Sequence, residues 1–443
     1  MRADLVVRAG RAVVDHSEQA CAVVVRAGTV AEILPLDAPV AAEADLRLAD
    51  DEVLLPGLVD THVHVDEPGR TEWEGFATAT AAAAAGGVTT IVDMPLNSVP
   101  PTVDVAALDV KRKAAAEQCL VDVGFWGGAV PGKIADLDAL HAAGVFGVKC
   151  FLLDSGVEEF PPLDAAGLRE AMTAVAAFGG LLLVHAEDAD VIEAAPAARG
   201  RQYAGFLASR PHEAEDAAIR VVLDEARATG ARVHLVHLAS ADALRMVARA
   251  RADGVRVSVE TCPHYLALTA DDVPDGSTEF KCCPPIRDAG NRDGLWRGLA
   301  DGVVDIVVSD HSPCPPELKH PGTGDFGAAW GGIASLQLGL AVVWTEARTR
   351  GRTLVDVVRW MASGPADVAG LPHKGRIAVG ADADLVVFAP EQTTVVDPAR
   401  LLHRHPVTPY AGRELAGVVR RTLLRGRPID GEPRGRLLRR GEA

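Results

Sequence analysis

Two histidines one residue apart, His62 and His64, stand at the end of the apolar run 54–63. A short run rich in Val and Leu reads as a buried strand. Side chains two apart on a strand share a face, so both imidazoles project together from its end. Converging neutral imidazoles are good ligands for zinc and related cations. The plainer reading is two unrelated histidines at a strand end; on the favoured metal reading the other ligands must come from elsewhere in the chain.

The elements able to supply them follow a regular beat. Apolar runs at 54–63, 87–94, 120–127, 147–150, 181–185, 232–237, 255–262 and 305–309 alternate with helical stretches such as 77–85, 165–177 and 213–228. Strand and helix in alternation is the pattern of a parallel α/β fold. That number of strands in roughly 310 residues suits a (β/α)8 TIM-type barrel. A doubly wound open sheet is the alternative, but no Gly-rich phosphate loop follows the first strand. Residues 1–53 alternate Val-rich runs with Gly and Asp turns, which reads as antiparallel β. The pattern returns at 374–388 and 418–424. The expected organisation is a barrel over 54–372 and a small β-sandwich domain built from 1–53 and 373–443. The basic tail 434–441 reads as loosely ordered and solvated.

Barrel enzymes place their chemistry at the C-terminal strand ends. Those ends carry His62, His64, Lys149, His185, His237 and Asp310. Each has a plainer reading: His185 and His237 as satisfied core histidines, Asp310 as a turn cap. Lys149 is the hardest to explain away, because a lysine at the inner end of an apolar strand is costly unless paired or modified. A buried amine that loses its proton can add carbon dioxide, and the carbamate is an anionic ligand with two oxygens. It could bridge two metals about 3.5–4 Å apart.

Composition narrows the class. The chain has 443 residues, 48% hydrophobic and 24% charged, ordinary for a globular protein with a sizeable core. A net charge of −17 leaves no basic stripe for nucleic-acid phosphates. Residues 1–5 show no charged leader before an apolar core, and no apolar run is long enough to span a membrane. Seven scattered cysteines form no disulfide framework, which suits a reducing compartment, and a cytoplasmic location is expected.

At the level of motifs the chain resembles the cyclic amidohydrolases of the amidohydrolase superfamily, and among them the allantoinases. The resemblance is carried by Val59-Asp60-Thr61-His62-Val63-His64-Val65-Asp66-Glu67-Pro68-Gly69-Arg70 and Val308-Ser309-Asp310-His311-Ser312-Pro313-Cys314-Pro315-Pro316. Asp93-Met94-Pro95-Leu96-Asn97-Ser98, Val148-Lys149-Cys150-Phe151, Glu260-Thr261-Cys262-Pro263-His264-Tyr265 and Cys283-Pro284-Pro285-Ile286-Arg287 add to it. It implies that His62, His64 and Asp310 hold one divalent metal and that His185 and His237 hold a second. N6-carboxylated Lys149 would bridge the two, with a shared hydroxide as nucleophile. Asp310 would be the general base that later protonates the departing amide nitrogen. Zinc leads the candidate metals, and cobalt, manganese and nickel also suit such a donor set. The implied assembly is a homotetramer and the implied partner a small molecule, with neither nucleic acid nor membrane.

Two positions separate the relatives. Dihydroorotases carry an arginine two residues after the second histidine, where Asp66 stands here, and an acid there would repel dihydroorotate. Hydantoinases and dihydropyrimidinases carry a tyrosine five residues after the bridging lysine, where Asp154 stands here. The expected substrate is allantoin, a hydantoin ring with a ureido arm, opened to a ureido acid. A hydantoinase or dihydropyrimidinase type of reaction is the alternative, and a non-catalytic scaffold is less favoured because all six ligand positions are filled. Asn97, Cys283 and Gly332 are the expected substrate contacts, the last two through backbone.

Overall fold

The computed structural model describes residues 2–442. Eight parallel strands build a barrel: β1 (Leu58–Val63), β2 (Val88–Asp93), β3 (Asp122–Phe125, resuming at Gly127–Gly128), β4 (Val148–Phe151), β5 (Leu181–His185), β6 (Arg232–Leu235), β7 (Val257–Thr261) and β8 (Ile306–Val307). Each strand pairs in parallel with the next, from β1 to the first part of β3 and from its second part to β8. The ring closes between its ends. The Ser309 N–H donates to Asp60 at 3.0 Å, the His64 N–H donates to the His311 carbonyl at 2.8 Å, and Val63 bridges His311. These strands are buried on both faces, which is why they read as continuous apolar runs.

Helices Phe76–Ala85, Ala165–Ala177 and His212–Thr229 fall within a residue of their predicted bounds. Asp164 caps the second, accepting from the Gly167 N–H at 2.7 Å, and left-handed Gly230 ends the third.

The run 54–63 is not one strand. Val53–Pro56 pairs antiparallel with Leu385–Val395 in a separate mixed sheet, and only Leu58–Val63 enters the barrel. Gly57 makes the break, because a Cβ there would sit 2.2 Å from the Thr89 hydroxyl. The separate sheet has eight strands from both chain ends and surrounds its own core of Leu5, Val7, Val23, Leu54, Leu385 and Val387. The tail expected to be loose is instead ordered. The Val123 N–H donates to Arg436 and the Leu438 N–H to Val123, so residues 436–438 run beside β3. Exposed β3 backbone gave the tail a hydrogen-bonding edge, and Leu438 is buried there.

A buried ionic knot ties the barrel to the terminal sheet. Lys374 Nζ reaches Asp122 at 2.5 Å, Asp382 at 2.7 Å and Asp384 at 2.8 Å, and Arg425 adds a contact to Asp122 at 2.7 Å. Burial works to raise the Asp122 carboxyl and lower the Lys374 ammonium. The partner charges win for both, so Asp122 is held low and Lys374 high. Three acids this close could hold a cation, and here an ammonium fills that place. Replacing Lys374 by Met should destabilise the fold by roughly 3–5 kcal/mol, since it leaves the buried Asp384 without a cation and Asp122 with Arg425 alone. Urea denaturation of Lys374→Met with an unchanged midpoint would refute this role.

Candidate metal centre

All six strand-end residues converge on one cavity. His62 Nε2 lies 3.1 Å from Asp310 Oδ1, and His64 Nε2 lies 3.6 Å from the same oxygen. Lys149 Nζ is 3.2 Å from His62 Nε2. The His62 ring centroid is 5.4 Å from that of His237, which is 4.5 Å from that of His185. His62, His237 and Asp310 each offer a donor atom within 4.8 Å of the others. An array of imidazole and carboxylate donors this close fits divalent first-row cations.

Local backbone geometry aims these groups inward. His237 and Asp310 sit just past their strands with φ of 36° and 43°. Non-glycine residues seldom adopt that left-handed region, and it concentrates at functional sites. Here it turns each side chain into the mouth of the barrel. Phe151 and His185 are register partners across β4 and β5, and their rings stack at 4.6 Å.

Two buried carboxylates fix which nitrogen each histidine presents. Glu260, at the end of β7, contacts His62 Nδ1, receives the His237 N–H at 3.0 Å and meets His234 Nε2 at 2.9 Å. That leaves His62 Nε2 for a cation. Glu187 contacts His185 Nε2 at 2.8 Å and is itself held by Arg210 at 2.5 Å, leaving His185 Nδ1. Such partners set the tautomer and orientation of metal-binding imidazoles. Burial opposes ionisation of both acids, but the neighbouring histidines hold Glu260 far down, and Arg210 with His185 holds Glu187 at about 2.

The donors are tuned by burial. It lowers His62 to about 4, His64 and His237 well below the imidazole range, and His185 more mildly, so all are neutral near pH 7. It also pulls Lys149 down to about 8, against the pull of Asp310 and Glu260, which makes a free amine accessible. Asp310 is pushed up to about 8, with Lys149 opposing.

The cavity holds about 240 Å³. Drug-sized ligands occupy roughly 300–1,000 Å³, so this space suits a small molecule. Asn97, Cys283 and Gly332 all line it. The Gly332 backbone is already spent, however: its N–H donates to the Lys281 carbonyl at 2.8 Å and its carbonyl accepts from Lys319 Nζ at 2.5 Å. The N–H groups of Cys283 and Gly331 have no acceptor among the described residues. Asp66 does not reach the cavity. It is fully buried, and φ of 64° breaks the strand alternation on which counting by twos from His64 depends. It cannot repel a substrate by contact. Asp154 does reach the rim, exposed.

Sequence reasoning missed Glu187, Glu260, Arg210 and Trp330. Glu187 follows His185 by two, the same spacing that singled out the histidine pair, and Glu260 opens a quoted motif without being given a task. Arg210 and Trp330 sit in loops, where no periodicity marks them.

Comparison with known proteins agrees with this geometry. A family model described as "Amidohydrolase family" matches residues 53–429. A protein of Streptomyces avermitilis named allantoinase is 58% identical over 442 residues, covering 99% of each chain. The allantoinase of Saccharomyces cerevisiae is 49% identical over 382 residues, covering 85% of this chain and 82% of its own. Among solved structures, the L-hydantoinase (dihydropyrimidinase) of Arthrobacter aurescens superposes with a TM-score of 0.91 at 31% identity, covering 98% of this chain and 97% of that one.

Two measurements test the supporting shell. Glu260→Gln should weaken metal affinity about 10–100-fold, read by competition with a chelator; an unchanged affinity removes Glu260 from its role. In metal-free protein, histidine NMR should show the His62 ring still neutral at pH 5.5, because its value lies near 4. Protonation of His62 with a midpoint near 6.5 would contradict that.

Proposed function

The chain belongs to the amidohydrolase family, and on that footing we propose that it hydrolyses the cyclic amide bond of allantoin to give allantoate. The observation that carries the reading is the convergence of four strand-end imidazoles, one lysine and one aspartate around a small cavity. Identity along nearly the whole chain to proteins named allantoinase supplies the substrate.

His62, His64 and Asp310 would hold one divalent ion, His185 and His237 a second, and Lys149, carboxylated on its amine, would bridge them. When bound, the ions would acidify a water and polarise the scissile carbonyl. Asp310 accepts the proton of the attacking water and returns it to the departing amide nitrogen. The free N–H of Cys283 would hold a second carbonyl of the ring, and Asn97 lines the same cavity. Phe151, Leu153 and Leu96 keep one wall of the cavity apolar. Zinc is the proposed metal, with cobalt, manganese or nickel as substitutes, and a cytoplasmic homotetramer is the proposed form. Among the described residues no helix is long and apolar enough to cross a membrane.

A hydantoinase or dihydropyrimidinase type of reaction is the second reading, favoured by the solved structures the chain superposes on. A panel of allantoin, hydantoin, dihydrouracil and dihydroorotate at matched metal loading decides between them. Allantoin should lead; dihydrouracil turned over well ahead of it would overturn the proposal. Lys149→Ala should lose metal and activity together and regain part of both with added short carboxylic acids. Full turnover by that variant without such acids would exclude the bridging role.

A further inference from the structure

The residues treated so far account for ring opening but leave one wall of the cavity without a task. Trp330 forms part of that wall, half-buried, on the strap between Asp325 and Ile333. Its placement is unusually firm for a loop residue. The Trp330 N–H donates to the Leu318 carbonyl at 2.7 Å, and its carbonyl accepts from Lys319 Nζ at 3.0 Å. The preceding carbonyl, of Ala329, accepts from Lys281 Nζ at 2.5 Å. Burial lowers both lysine ammoniums, so desolvating them carries a cost that the strap's carbonyls offset. The indole is braced as well. It meets Trp73 edge to face at 5.0 Å, and Arg70 covers Trp73 at 5.4 Å. On the β4 side, a Cβ at Gly156 would lie 3.4 Å from Cη2 of Trp330, so the loop packs against the ring without crowding it.

The result is a fixed aromatic surface on the cavity wall, and among the described residues no acceptor meets the Trp330 indole N–H. The next residue, Gly331, supplies an unspent backbone N–H. A rigid π face beside two free donors matches a planar, neutral group bearing a carbonyl. An apolar substituent would leave the donors unpaired. A ureido arm has the matching chemistry: flat, uncharged, with one carbonyl acceptor.

We infer that Trp330 is a specificity-determining residue that receives the ureido arm of the substrate and so favours ureido-bearing rings over bare ones. This rests on allantoin being the substrate and adds which side chain selects it.

The test compares wild type with Trp330→Phe and Trp330→Ala, with metal content and thermal melting recorded for each. For Trp330→Ala, KM for allantoin should rise on the order of tenfold, the scale of a lost aromatic contact with a hydrogen bond. Trp330→Phe, which keeps a face but loses the N–H, should rise less, by about threefold. For both, kcat and metal content should stay within about twofold of wild type, and inhibition of allantoin turnover by plain hydantoin should be unchanged. If KM is unaltered, or if kcat falls in step with metal content, or if hydantoin binding weakens in the same proportion, Trp330 only packs the strap and the inference is overturned. Should Trp330→Ala fail to fold, Trp330→Phe decides by the same split. Failure of the wild type to open allantoin would instead overturn the functional reading, and the inference with it.

Discussion

The carboxylate of Glu260 is the contact on which the rest of the centre depends. Four imidazoles and a lysine amine crowd the mouth of the barrel, and in that dry setting each would repel its neighbours if charged. A single buried anion at the end of β7 joins β1 through His62, and joins β6 through His234 and the backbone of His237. It therefore fixes orientation and supplies negative charge at one point. Asp60 performs the related task at the seam, accepting from the backbone of His62 and of Ser309 and so locking β8 against β1. Without that lock Asp310 and His62 would have no reason to meet.

Burial here does two opposite things with one physical cause. It removes protons from bases, which leaves imidazoles free to ligate and Lys149 free to react. It also retains them on acids, which pushes Asp310 up against the pull of Lys149. Glu187 and Glu260 escape that second effect only because each has cationic or donor partners within contact distance. The same desolvation thus acts on two kinds of carboxylate, one held ionised by its partners and one, Asp310, pushed up.

The strand ends were legible from sequence because burial on both faces writes a continuous apolar run, and a polar residue closing such a run stands out. His62, His64, Lys149, His185, His237 and Asp310 were all found that way, and the structure brings them to one cavity. What was not legible depends on conformation that leaves no periodic trace. Gly57 splits an apparently single strand because of one side chain, Thr89, thirty-odd residues away. Asp66 does not line the cavity, and its left-handed backbone means that an argument by alternation stopped being valid two residues past the strand. The tail looked loose because its partner, the backbone of β3, is distant in sequence. Gly332 looked like a backbone donor until Lys281 claimed its N–H.

Those misses share a pattern that bears on how the site divides its work. The metal-facing groups stand on strands, whose positions the core sets, and they are few enough in kind to be read from type and spacing. The groups facing the variable part of a substrate stand on loops, and loops hold position only where something pins them. Here the pins are themselves buried charges: Lys281 and Lys319 under the strap of Trp330, Arg70 bridging Glu159 and the Asn97 carbonyl across the mouth. A lysine that ends on backbone carbonyls makes no demand on the side chains of the strap, so their identities are free to change while their positions are kept. Selectivity can then shift by substitution on the strap without disturbing Glu260 or the donors it orients. The strand-end donors and the strap are thereby held by different contacts, Glu260 and Glu187 for the first and Lys281 and Lys319 for the second.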